Sequence, residues 1–148
     1  LIGAGKLREA QFSGWLGILF CAGFMIVSAI CLLIFRESIV GLYTDDAAVT
    51  GIAISLLLMA VIFQIADGIQ IGAAGALRGY KDTAVPMAIN LLAFWIVGFP
   101  LAYLAAITYQ APPNYIWAAL VLSLSIGATL LTWRYRILSL RFMKQMVY

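Results

Sequence analysis

The chain has 148 residues, 65% of them hydrophobic, with a mean hydropathy of +1.06 and a formal net charge of +3. Only 10% are charged, against about a quarter in a soluble domain. That is too few to clothe a water-facing globule, so the class is membrane protein. The nine basic residues are scattered between apolar runs, which argues against a nucleic-acid surface.

The chain opens on Leu1-Ile2-Gly3-Ala4-Gly5, which lacks the basic start and small-residue cleavage site of a signal peptide. It reads as a fragment of something longer. Residues 12–35 then carry no charge and are long enough to cross a hydrocarbon core of about 30 Å. Cys21 and Cys31 lie in this run. Ten residues of helix separate them by about 15 Å, too far for a disulfide, and both read as small packing residues. Without histidine or further cysteine, no soft-metal site is indicated. Nucleophile-elbow, phosphate-loop and zinc-protease patterns are not found, and the chain reads as a non-enzyme needing no cofactor.

Arg36 to Asp46 forms a connection ending in Thr44-Asp45-Asp46, residues suited to a helix N-terminus. The second run, 47–77, is apolar except for Asp67 and two glutamines. Arg78 to Thr83 makes a tight turn, and Pro86 falls in the first turn of the next helix. The third run, 84–107, carries Asn90 and the triplet Gly98-Phe99-Pro100. Pro112-Pro113 breaks the chain before the fourth run, 116–133. The predicted fold is all-α, a polytopic membrane protein of four transmembrane helices. A strand barrel is excluded, because its strands need only about 10 residues and alternate.

Alternating topology puts Lys6, Arg8, Arg78, Lys81, Arg134, Arg136, Arg141 and Lys144 on one side and leaves only Arg36 on the other. That bias makes the first side cytoplasmic, with both ends of the chain there. The basic tail, 134–148, reads as a positive-inside anchor and the start of a disordered end; a lipid-binding amphipathic helix is the alternative.

Asp67 lies about 16 Å along a helix from Arg78, inside the hydrocarbon zone. Placing a carboxylate there costs at least about 2.5 kcal/mol on insertion scales, so such residues face a bundle interior or a wet cavity. Hydrocarbon favours the neutral acid, whereas a neighbouring cation favours the carboxylate. One carboxyl can therefore exchange a proton for a cation, and a metal ion if the ion is Na+. The alternative is a neutral aspartic acid that only joins helices. Ala60, Gln64, Asp67, Ile71, Ala74 and Arg78 share one small or polar face. Gln64 and Asn90 are candidate cavity-lining residues, although Asn90 would equally suit a bond to a nearby backbone. Gly98 and Pro100 form a candidate hinge, or a fixed kink, or a break at a binding site. Gly68, Gly72, Gly75 and Gly79 give two GxxxG pairs that permit close helix approach. The hydroxyls of Ser123, Ser125, Thr129 and Thr132 are expected to be satisfied within their own helix.

The segments "GAGKLREA" (3–10), "LYTDDAAV" (42–49), "FQIADGIQ" (63–70), "GALRGYKDT" (75–83) and "FWIVGFP" (94–100) together resemble the MATE family (multidrug and toxic compound extrusion), in its NorM-type branch. The resemblance implies two six-helix lobes with cytoplasmic termini. It makes this chain the last four helices of the C-terminal lobe, to be completed by the remainder of its own chain. It implies export of small organic, cationic drugs and toxins in exchange for H+ or Na+, in a bacterial inner membrane. Asp67 matches the aspartate implicated in coupling. A flippase for a lipid-linked sugar, or a non-transporting four-helix membrane module, are the competing readings.

Overall fold

The computed structural model describes residues 1–144. After a single 3-10 turn, Ile2–Ala4, come four long helices. They are α1 (Leu7–Gly41), α2 (Ala47–Gly79), α3 (Ala84–Thr108) and α4 (Pro113–Lys144). All four are long and apolar enough to cross a membrane, and no strand occurs among the described residues. A helix satisfies its own backbone polar groups, which hydrocarbon demands of any spanning segment.

The ends are set by local chemistry. The Asp46 carboxylate accepts from the Ala48 N–H at 2.8 Å and caps α2, as the Thr-Asp-Asp sequence suggests. Pro86 sits in the first turn of α3. Pro113 starts α4, where its missing N–H costs nothing. α1 and α4 extend well past the expected runs of 12–35 and 116–133. The largest difference is the tail. Residues 134–144 are not the start of a disordered end but three further turns of α4; residues 145–148 lie outside the described part.

The helices alternate in direction. α1 packs on α2, α2 on α4, and α4 on α3. α2 and α4 therefore run parallel as the two central helices, while α1 and α3 flank them. The α1–α2 seam rests on one of the two GxxxG pairs. A methyl group at Gly72 would sit 2.9 Å from Ile18 Cα, and one at Gly68 would sit 2.5 Å from Met25 Cγ. Gly75 and Gly79 face open space. Cys21 packs at this seam, whereas Cys31 is exposed, unlike the packing residue expected there; both are free thiols.

The extra turns of α4 explain themselves by what they hold. Tyr135 is fully buried and donates to the Gln11 carbonyl of α1 at 2.9 Å. Its ring meets Trp15 and Tyr80 edge-on, with centroids 5.4 and 5.7 Å away. Its hydroxyl occupies the space a side chain at Gly14 would need. Gln11 donates to Ser139, and Arg134 pairs with Asp82 of the α2–α3 turn at 3.0 Å. Two helices and the turn between the other two are joined at one end. Because they meet there, Lys6, Arg8, Arg78, Lys81 and the basic residues of the tail share that end, with Arg36 near the other.

The seam yields a stability contrast. In the full-length protein in detergent, Gly72→Ala should lower thermal stability by about 1–3 kcal/mol, because backbone must move. Gly75→Ala meets nothing within 4 Å and should be neutral or stabilising. Paired thermal unfolding curves check both.

Candidate intramembrane polar site

Asp67 is the single acid inside the four apolar runs. The structure places it mid-helix on α2, half-buried. Among the described residues its carboxyl has no hydrogen-bond donor and no ion-pair partner. Its face is open further along: Ile71 and Arg78 are exposed, while Ala74 is buried.

Gln64 and Gln70 lie three residues before and after Asp67, about 4.5 Å of rise each way. Gln64 turns to α1, where Ser28 Oγ donates to its Oε1 at 3.5 Å. Gln70 turns to α3 and donates from Nε2 to Asn90 Oδ1 at 2.8 Å. Asn90 thus bonds a side chain on another helix. The pair lies over Gly127 of α4, where a methyl group would come within 3.6 Å of both amide oxygens.

Each glutamine spends only half of its amide. Gln64 Nε2 and Gln70 Oε1 are buried without a partner. An orphaned buried polar atom costs about 1–3 kcal/mol, so two of them beside one acid form an unusual concentration. One is a donor, suited to a carboxylate or a substrate oxygen. The other is an acceptor, suited to a protonated acid or a hard cation, which oxygen ligands hold best. The described residues contain no cluster of three or more metal-ligating side chains, and Asp67 is the one acid within the four apolar runs.

Gly98 and Pro100 lie on α3, which runs through the triplet without a break. Its turns are widened to π-helix over Ala93–Gly98 and Leu104–Thr108. Pro100 has no N–H to give the carbonyl one turn back, and π turns are a common accommodation near such defects. Gly98 has ordinary helical angles; what it supplies is space, since a methyl group there would lie 2.9 Å from Ser123 Oγ. Ser123 is fully buried and donates across the helix interface to the Ala93 carbonyl at 2.9 Å. It is thus not satisfied within its own helix, in contrast to Ser125, Thr129 and Thr132, which bond carbonyls four residues back. The polar path from α2 to α4 is Gln70, Asn90, Ala93 and Ser123.

Sequence reasoning singled out Asp67, Gln64 and Asn90 but passed over Gln70 and Ser123. The spacing of Gln64, Asp67 and Gln70 at three-residue steps was the available signal. Ser123 had none, because only the fold shows which hydroxyl faces α3.

The arrangement defines a polytopic helical membrane protein with one acidic residue in the middle of an apolar helix. The chain belongs to the MatE family, whose model matches residues 1–104. It is 40% identical to multidrug resistance protein PmpM of Pseudomonas aeruginosa, over 97% of this chain and 31% of that protein. It is 39% identical to the probable multidrug resistance protein NorM of Xanthomonas axonopodis pv. citri, over 91% of this chain and 30% of that one. The chain thus spans about a third of the length of these curated relatives. The fold is also that of the eukaryotic MATE transporter AtDTX14, whose crystal structure superposes with a TM-score of 0.78 at 19% identity over 95% of this chain and 33% of that one.

The Gln70–Asn90 bridge has a measurable signature. Gln70→Leu or Asn90→Leu alone should each destabilise the full-length protein by about 1–3 kcal/mol, since each strands an amide that is buried (Gln70) or partly buried (Asn90). The double replacement should cost less than the sum of the two. A double-mutant cycle on thermal unfolding checks this.

Proposed function

We propose that this chain forms four helices of a cation-coupled antiporter that exports drugs and toxic organic compounds by alternating access. The observation that carries the reading is Asp67, flanked one turn on either side by buried amide atoms without partners. Membership of the family supports it, as do the multidrug-resistance names of relatives such as PmpM. Asp67 is the coupling residue, exchanging H+ or Na+ against a small organic cation. With Na+ as the coupled ion, Asp67 is its charged ligand, and Gln70 Oε1 is an adjacent oxygen of the right kind. The substrates follow from the same charge logic: a carboxylate freed of its ion attracts a cation.

Coupling requires that the ion bind two conformations with different affinity. In this reading α3 is the element that differs. Its widened turns around Gly98 and Pro100 can rewind without tearing the helix, and the Gln70–Asn90 bridge connects it to the helix that carries Asp67. The end carrying eight of the nine basic residues faces the cytoplasm, in a bacterial inner membrane. The rest of the protein, about twice the length of this chain in its relatives, supplies the facing lobe and the remainder of the pathway.

Asp67→Asn in the full-length protein should abolish ion-driven drug efflux while leaving the amount of membrane-inserted protein unchanged. Transport in everted vesicles and quantitative immunoblotting measure the two. Efflux at the wild-type rate would make Asp67 a structural residue.

A further inference from the structure

One groove among the described residues does not involve Asp67. It runs between α1, α2 and α4 and encloses about 630 Å³. Ile65 and Ile69 wall it from α2. Each is two residues from Asp67, hence about 160° around the helix from it. The groove therefore opens on the side of α2 away from the proposed coupling face, and its occupant need have nothing to do with transport.

Its lining is ordered by depth. The inner stretch is apolar, with Ala66, Ala128 and the isoleucines. The hydroxyls of Thr129 and Thr132 there are already bonded to their own helix. At the basic end stand Trp15, Trp133 and Arg136. Trp133 is exposed on the rim, in the position that indole rings take at a membrane interface. Arg136 is exposed and has no carboxylate partner among the described residues, whereas Arg134 is held by Asp82 and Lys6 by Glu9. Seven residues before Trp15, on the same face of α1, comes Arg8. The lining contains no acid.

Length decides what kind of molecule fits. From Ser125 to Arg136 the groove follows eleven residues of α4, about 16 Å. Half of a hydrocarbon core is about 15 Å. The groove is thus about as long as one leaflet is thick, apolar over most of that length, with Arg136 at one end.

We propose that it holds an anionic glycerophospholipid from the leaflet on the basic side. An acyl chain lies between α2 and α4, and the phosphate meets Arg136, with Arg8 adding positive potential nearby. A peptide helix from elsewhere in the protein would have to place an acid opposite Arg136 to fit as well.

The test is lipid binding to the full-length protein by native mass spectrometry, titrating phosphatidylglycerol and phosphatidylcholine separately. Wild type should retain phosphatidylglycerol more tightly. Arg136→Gln should weaken phosphatidylglycerol about fivefold, the effect of one basic residue at an anionic surface, and leave phosphatidylcholine unchanged. Arg136→Lys should restore the preference. Thr129→Trp, which fills the groove, should weaken both lipids. Arg136→Gln is at an exposed position and carries the test alone if Thr129→Trp does not fold. Unchanged phosphatidylglycerol binding in Arg136→Gln overturns the proposal, as does equal loss of both lipids in that variant. Undiminished binding in a folded Thr129→Trp shows that another segment of the chain covers the groove, and also overturns it.

Discussion

In hydrocarbon no water is at hand to complete a hydrogen bond, and every polar group must find its partner within the protein. Most of this chain obeys that constraint. Its backbone is wound into helices, Asp46 caps the first turn of α2, and three hydroxyls of α4 fold back on their own carbonyls. Where helices meet, Gln70 and Asn90 complete one another and Ser123 answers the Ala93 carbonyl. Against that background the exceptions gain meaning. Gln64 Nε2, Gln70 Oε1 and the carboxyl of Asp67 are the groups that these helices leave wanting, and they lie within two turns of α2. A coupling site needs such unspent capacity, since an ion or proton must find ligands and then lose them.

The two halves of the bundle differ in how firmly they are joined. At the basic end, Tyr135, Gln11, Ser139 and the Arg134–Asp82 pair bind α1, α4 and the α2–α3 turn together. Toward the other end the joints are fewer, with a Ser55–Asn114 hydrogen bond at 3.3 Å and an edge contact of Phe63 on Trp117. α3 carries both widened segments beyond Asn90, one at its middle and one at its C-terminal end. A firm base with a more deformable upper half suits the repacking of α3 that the proposed antiport requires.

Much of this was legible in the sequence because hydrocarbon simplifies the code. Long uncharged runs mark spans, Thr44-Asp45-Asp46 and Pro86 mark helix starts, and eight basic residues on alternate loops mark one end. Asp67 stood out for the same reason, as an acid where acids are costly. What stayed hidden depends on which face meets which helix. The tail around Tyr135 reads as solvated because its arginines dominate its composition, yet every few residues a buried side chain (Leu131, Tyr135, Ser139) continues the inward stripe of α4. The two GxxxG pairs look alike in sequence, and only packing tells Gly72, against Ile18, from Gly75, against open space. Gln70 was hidden by its neighbour: a charge draws the eye before an amide does.

The central claim is that Asp67 gives up its ion when a cationic substrate arrives. The direct measurement is ion release from the full-length protein in weakly buffered detergent solution on adding a cationic substrate, with H+ followed by a pH indicator and Na+ by a sodium indicator. The account predicts release of one or the other by wild type and of neither by Asp67→Asn. The same release from both proteins would contradict it.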